Sequence, residues 1–429
     1  MRDAAPAEPT DPAADATARA TARRRAGLFL MFLAPGVALS SWVTRTPAIR
    51  DAVDASTAGM GLIILGAAVG ALAGILGAAR AVARHGARAV ATAGAALNVV
   101  GLVVIAVGVA NGGAPTVFCG LAFFGAGSGL MEIAVNVEGA AVERVLGRPV
   151  LPALHGCFSL GNLAGAVGGI VLTALGFPVL WHLVAVAVLL AAANAWALRN
   201  LPGGTGKEQR HAPSPQGGSA PATPRQPLWR ERRVRLLGLI VLGMALAEGA
   251  AADWLPLIMV DGYDLGPTAG SLVYALFAAS MAAGRFGGER VLARLGRVTV
   301  VRASAVCAAV GIAAVVLAPW PGLAAAAVVL WGLGAALGFP VTLSAAGDDP
   351  DGAAARVGAV ATAGYLAFLA GPPALGFLGE TFGLRNAMVA VLAVVLLAGA
   401  LARAVGPVTP AAVPDALSEP VTPADPSHA

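Results

Sequence analysis

Residues 203–227 read GGTGKEQRHAPSPQGGSAPATPRQP, a run of Gly, Pro, Ser and charge set inside an otherwise strongly apolar chain. Such a stretch cannot bury enough apolar surface to offset the entropy of ordering it, so it reads as a linker. Six apolar segments precede it, at about 26–43, 57–79, 89–110, 114–138, 151–176 and 178–198. Six follow, at about 234–258, 268–286, 298–317, 320–346, 354–377 and 384–404. Each is close to the roughly 20 residues that a helix needs to cross the hydrocarbon core of a bilayer. The expected fold is an all-α polytopic membrane protein with twelve transmembrane helices in two six-helix bundles. The expected parts are a disordered cytoplasmic tail at 1–25, a bundle at 26–198, a cytoplasmic linker at 199–233, a second bundle at 234–404 and a disordered cytoplasmic tail at 405–429. The first tail lacks an apolar core and does not read as a cleaved signal peptide.

Composition agrees with this pattern. The 429 residues are 58% hydrophobic and 12% charged, with a mean hydropathy of +0.78, whereas soluble domains carry about 25% charged residues. Cys119, Cys157 and Cys307 all fall in apolar segments without paired spacing, so no disulfide framework and no metal site is expected. Short translocated loops carry few basic residues. With both termini in the cytoplasm, 25 of the 28 Lys and Arg fall inside, and only Arg45, Arg50 and Arg385 fall outside. The net charge of +5 is then a mark of topology and not of nucleic-acid binding. Twenty-seven Arg against the single Lys207, with abundant Ala and Gly, suggest a GC-rich bacterial genome, hence a bacterial inner membrane.

The two halves echo one another. Arg80-Ala-Val-Ala-Arg-His-Gly86 recurs as Arg290-Val-Leu-Ala-Arg-Leu-Gly296, after the second and eighth segments. Ser41-Trp42-Val43 similarly faces Asp253-Trp254-Leu255 at the outer ends of the first and seventh. Repeats of this kind relate two bundles about a central site in transporters.

Six plus six helices, the linker and these Arg-rich, Gly-containing loops resemble the major facilitator superfamily over about residues 25–404. Gly125-Ala-Gly-Ser-Gly-Leu-Met-Glu-Ile-Ala-Val-Asn136 is similar to the fourth-helix motif of fucose permease and its relatives. GAAVERVLGRPVLPALHGCFSLGNLAGA and EGAAADW look like a branch of largely uncharacterised bacterial permeases related to it. The resemblance implies alternating access without a cofactor, and gating by Arg80, Arg84, Glu289, Arg290 and Arg294. Two departures stand out. Where an Asp commonly precedes the loop Arg, this chain has Ala83 and Ala293, leaving Glu289 as an acid of the second half only. The acid that such relatives carry on the first helix is absent from GVALSSWVTR.

An ionisable residue at membrane depth costs at least about 2.5–3.5 kcal/mol on insertion scales, so Glu132 is expected to face a cavity or a partner. Ser128, Glu132 and Asn136 recur at i, i+4 and share one helix face. Glu132 is the expected proton site, its alternative being a hydrogen bond that only locks the bundle, and Asn136 and Ser128 are expected to contact substrate. Glu138 is assigned to the inner interface or to Arg144. Glu248 is expected to face the cavity opposite Glu132 as a second proton-coupling acid, and Asp253 to meet Arg45 in an outer gate. Trp42 and Trp254 offer stacking surfaces, although a place in the interfacial aromatic belt is the more ordinary role. Asn162, Tyr274 and Tyr365 complete the expected cavity lining. His155 and His182 are read first as structural. Gly161, Gly165 and Gly169 are read as close-packing positions.

Enzyme signatures fail on inspection. In GGTGKE the first glycine of a phosphate loop would be Leu201 and its Ser/Thr would be Glu208. Around Ser128 the nucleophile-elbow spacing places Ala126 where Gly is needed. The expected function is therefore a secondary active transporter, not an enzyme, acting as a monomer with a small-molecule substrate, protons and the lipid bilayer as partners. Few aromatics and few fixed charges in the expected cavity favour a small polar solute such as a sugar. A drug or metabolite efflux antiporter and a non-transporting receptor of the same fold are the alternatives.

Overall fold

The computed structural model describes residues 12–147, 150–207, 228–348 and 353–407. Among them, secondary structure is helical throughout. The helices are α1 (Pro12–Val43), α2 (Thr46–Ala52), α3 (Thr57–His85), α4 (Ala87–Ala110), α5 (Ala114–Leu146), α6 (Leu151–Ala174) and α7 (Val179–Arg199). After the linker come α8 (Arg232–Tyr263), α9 (Pro267–Leu317), α10 (Pro321–Ala346), α11 (Ala353–Phe382) and α12 (Leu384–Ala400). Single 3₁₀ turns lie at Leu228–Arg230 and Ala402–Val405.

Eleven stretches among the described residues are long and apolar enough to cross a membrane, two of them within α9, and α12 is a shorter apolar helix of 17 residues. α9 divides at Gly296, whose φ of 71° leaves the right-handed helix. Gly86, between α3 and α4, has a φ of 87°. These are the two glycines that close the repeated Arg-rich sequence. Their conservation between the halves has a backbone cause, since a side chain at positive φ is strained whereas glycine is not. α2, which hydropathy alone does not reveal, begins at Thr46-Pro47, where proline's fixed φ suits a first helical turn. Ser56 then starts α3 by accepting a hydrogen bond from the Gly59 amide at 3.1 Å.

Helices before the linker pack mainly on each other, through α3–α5, α4–α5, α1–α6 and α4–α7. Those after it do likewise, through α9–α10, α8–α11 and α9–α12. The two groups meet chiefly where α3 touches α11 and α6 touches α9. Close crossings depend on missing side chains: a Cβ on Gly161 of α6 would lie 2.0 Å from the Leu33 carbonyl oxygen of α1. Leu76, Val188, Leu189, Val306 and Leu396 point outward from the helices, the apolar exterior that lipid contact requires.

Charged clasps hold the end that carries Thr205, the 3₁₀ turn at Leu228–Arg230 and the chain's last helical turn, called here the terminal end. Arg24 of α1 binds Glu138 of α5, its Nε donating to Oε2 at 3.0 Å, and its Nη2 donates to the Thr205 hydroxyl at 3.3 Å. Glu138 is 0% exposed, so the expected pairing with Arg144 or the interface gives way to a buried pair made by residues 114 apart. Arg233 and Arg297 converge on Asp348, and Arg233 also donates to the Gly406 carbonyl at 2.9 Å. Burial opposes ionisation of Asp348, but hydrogen bonds from Arg297 and Arg233 and their charges hold its carboxyl below the ordinary value.

Candidate functional site

The α5 motif opens onto a cavity of about 240 Å³ walled by α1, α3, α5 and α6. Glu132 and Ser128 are on its wall, with Phe32, Trp42, Phe124 and Phe158 among the other lining residues. Four aromatics in one small cavity correct the expectation of few, and leave Ser128 and Glu132 as its polar side chains. Ser128 is already engaged, accepting from Asn98 Nδ2 of α4 at 2.9 Å and donating to the Phe124 carbonyl. Glu132 is exposed. Asn136 donates to Glu132 Oε1 at 3.2 Å and to the Glu132 carbonyl at 2.7 Å, while its Oδ1 accepts from His155 Nε2 at 3.2 Å. His155, itself exposed, packs edge-on to Phe32 with ring centroids 4.9 Å apart. The i, i+4 spacing thus does bring Glu132 and Asn136 together. The His155–Asn136–Glu132 chain adds an imidazole that sequence reading treated as structural. Tyr365 of α11, in the other helix group, is within electrostatic range of Glu132.

The opposite end, called here the far end, is closed. Ser40 of α1 lies 3.3 Å from Asn162 Oδ1 of α6 and 3.4 Å from the Tyr274 hydroxyl of α9, so these two expected cavity residues meet at a buried seam between the groups. The Ser271 hydroxyl of α9 donates to the Thr44 carbonyl at 2.9 Å. Further out, Arg50 of α2 binds Asp261 of α8. The hydrogen bonds and charges of Asp261 and Asp51 outweigh burial and hold the Arg50 guanidinium above its ordinary value. Glu380 of α11 accepts from the Ala58 amide at 3.0 Å, placing a carboxylate from one group on the helix N-terminus of the other.

Several expectations change here. Arg45 does not meet Asp253: it is buried and its Nε donates to His182 Nδ1 of α7 at 3.1 Å. The charge pair across the far end is Arg50–Asp261 instead, because the turn at Arg45 points that side chain into its own helix group. Glu248 is no free acid, since Arg285 of α9 donates to its Oε1 at 2.9 Å. Trp42 and Trp254 are 2% and 0% exposed, which removes them from a lipid-facing belt and makes them core. Arg80, Arg84, Arg290 and Arg294 are exposed and make no ion pair among the described residues. The side chain of Glu289 lies outside the described residues. Sequence reading passed over Ser40, Arg50, Asp261, Arg285 and Glu380. One signal was present: Arg50 is among only three basic residues left on the side expected to be outside.

Residues 27–367 match the family model described as Major Facilitator Superfamily. An uncharacterized MFS-type transporter of Yersinia pestis is 30% identical over 377 residues, covering 88% of this chain and 94% of that protein. An uncharacterized transporter of Sinorhizobium fredii is 32% identical over 385 residues, covering 86% and 97%. Among solved structures, the nucleoside transporter NupG superposes with a TM-score of 0.66 at 15% identity, over 90% of this chain and 98% of that one. The E. coli fucose:proton symporter FucP gives 0.57 at 16% identity, over 89% and 98%. At these identities the structural likenesses speak for the fold.

Proposed function

Because this chain belongs to the Major Facilitator Superfamily, and is therefore a multi-pass membrane transporter and not an enzyme, we propose that it is a secondary active transporter driven by protons. In this reading α12 is the twelfth span, and two six-helix bundles, 26–198 and 234–404, rock about the site between them. The observation that carries the proposal is an asymmetry. Glu132 lines a cavity and is exposed, while the far end is shut by Arg50–Asp261, Ser271–Thr44 and the Glu380 cap. With both termini in the cytoplasm, as the basic residues favour, this is an inward-facing state of an inner-membrane permease.

A carboxylate reached alternately from each side can take up a proton on one and release it on the other, provided that substrate and proton bias the same pair of conformations. Glu132 supplies the carboxyl. Asn136 holds it at 3.2 Å, and His155 is one hydrogen bond further, a short path between the carboxyl and water at the terminal end. Asn136, Ser128 and Tyr365 contact the solute, Trp42 backs the cavity, and Asn162 and Tyr274 hold the seam behind it. Arg50–Asp261 takes the gating role expected of Arg45–Asp253. The exposed Arg80, Arg84, Arg290 and Arg294 are left for the state in which the terminal end closes.

Sugars and nucleosides are the first solutes to test, as small polar molecules of the kind named for the structural neighbours. The aromatic lining of the cavity favours a second reading, export of an amphipathic compound that offers a hydrogen-bond donor to Glu132. Uptake of L-fucose, D-xylose, uridine and a lipophilic amine into proteoliposomes, under proton gradients of either sign, tests both. Accumulation that collapses when the gradient is dissipated, and in Glu132→Gln, is the expected result. Binding without accumulation in either direction would make the protein a receptor, and a Glu132→Gln protein that still concentrates solute would remove Glu132 from coupling.

A further inference from the structure

The repeat that sets Gly86 after α3 and Gly296 within α9 also sets a surface beside each glycine, and the two surfaces differ. At Gly86 the chain's own linker covers it. The Thr205 carbonyl accepts from the Ala87 amide at 2.8 Å, and the Thr205 hydroxyl accepts from Arg24 at 3.3 Å. A Cβ on Gly86 would lie 2.9 Å from the Gly203 carbonyl oxygen and 3.3 Å from Lys207 Cγ. One on Gly206 would lie 2.7 Å from Val82 of α3 and 3.0 Å from Val137 of α5. Residues 203–207 are thus a strap seated on the turn, and they satisfy an amide of the first turn of α4 that has no partner within the helix.

At Gly296 the same place is a cavity of about 620 Å³, walled by residues 295–299 of α9, Asp348 after α10, and Pro407. Among the described residues, nothing lies within 4 Å of a Cβ built on Gly296. Arg297 stands where Ala87 does in the repeat, as the first residue after the positive-φ glycine. The chain leaving the last helix of the second group comes to this turn, as the linker comes to the turn of the first: a Cβ on Gly406 would lie 3.5 Å from Val298, and the described residues end at Pro407, in the cavity wall. Charge indicates what fits there. Arg290, Arg294 and Arg302, all within six residues of Gly296, are exposed and make no ion pair among the described residues, while Arg233 and Arg297 share the carboxylate of Asp348. This surface therefore carries an excess of positive charge. Residues 408–429 carry Asp415, Glu419 and Asp425 and no Lys or Arg.

We propose that the acidic segment 408–429 docks in this cavity, taking at Gly296 the place that residues 203–207 take at Gly86. A carbonyl of the segment accepts from the Arg297 amide, as Thr205 does from Ala87, and its carboxylates meet Arg290, Arg294 and Arg302. A segment that starts in the cavity wall is present there at an effective concentration on the order of millimolar, so weak contacts suffice to hold it. Each helix group is then strapped at its Arg-rich turn by the chain that leaves its last helix. The first strap is held by small residues and a backbone hydrogen bond, the second chiefly by charge.

Alkylation by a membrane-permeant maleimide tests this without reference to transport. Thr299→Cys, at an exposed position in the cavity wall, is placed in the full chain lacking Cys119, Cys157 and Cys307, and reconstituted in phosphatidylcholine liposomes. Its alkylation should run several-fold faster when the chain is cut after Pro407, and also in Asp415→Asn, Glu419→Gln, Asp425→Asn. Adding a synthetic 408–429 peptide to the shortened chain should slow it again. Lys207→Cys, on the other strap, should react at the same rate in all of these. If the shortened chain does not yield a monodisperse protein, the triple substitution in the full chain decides. A Thr299→Cys rate that neither change alters overturns the proposal. So does protection that follows the phosphatidylglycerol content of the liposomes equally with and without residues 408–429, which would make an anionic lipid headgroup the occupant.

Discussion

A single methyl group at Gly161 should be enough to test how α1 and α6 are held. A Cβ built there would sit 2.0 Å from the Leu33 carbonyl oxygen and 2.9 Å from its carbon, closer than the 3.0 Å below which such contacts essentially never occur. The two backbones would have to part by about 1 Å, and overpacking of that kind costs about 1–3 kcal/mol. Gly168, two turns along the same helix, has nothing within 4 Å of its virtual Cβ. Replacing an interior helical glycine by alanine gains about 0.5–1 kcal/mol of backbone entropy. That gain is common to both sites, so the difference in stability between Gly161→Ala and Gly168→Ala isolates the packing term, about 1–3 kcal/mol. Denaturation of both variants in one detergent, followed by tryptophan fluorescence, measures it. Gly168→Ala should equal or exceed the unmodified protein, and Gly161→Ala should fall below it. Equal stabilities would mean that the crossing is loose and that the glycine stripe 161, 165, 169 does not set the distance between α1 and α6.

Other perturbations address the charges. Arg24→Ala strands Glu138, whose side chain is 0% exposed, and breaking a buried pair from one side costs about 3–5 kcal/mol; the same denaturation assay should show it, with Arg24→Ala, Glu138→Gln less damaged than Arg24→Ala alone. Asp348 has a depressed carboxyl, so its stabilisation is complete above the unfolded value of about 4 and is lost as pH falls through the lower folded value. The stability gap between the unmodified protein and Asp348→Asn should therefore be flat from about pH 5 to 8 and close below about pH 4, and a gap that instead changed around neutrality would point to another group. Loss of the far-end pair in Arg50→Gln should speed alkylation of a buried cysteine at Ser271→Cys several-fold, in a background lacking Cys119, Cys157 and Cys307, and an unchanged rate would take Arg50–Asp261 out of the gate.

The reach of sequence reading differed between Glu132 and Glu248. Glu132 and Asn136 were brought together correctly because their relation is local: four residues along one helix fix both on a face whatever the rest of the chain does. Glu248 and Arg285, 37 residues apart on different helices, have no such local constraint, and neither do Arg45 and His182, or Arg24 and Glu138. Trp42 and Trp254 were misjudged for the same reason, since a helix-end tryptophan meets either lipid or core according to what packs over it.

Taken alone, the sequence determined that this chain lives in a membrane, where its apolar segments lie and where a Gly-, Pro- and charge-rich stretch interrupts them, and that its two halves repeat an Arg-rich, Gly-containing motif. Those properties belong to neighbouring residues: hydropathy accumulates along a segment, and a repeat is matched position by position. Tertiary structure decided which acids are paired with a cation, which one has no such partner among the described residues, and which end is shut. Those outcomes depend on the rotation and crossing of helices far apart in the chain, where displacement by about 1 Å or one turn exchanges one partner for another.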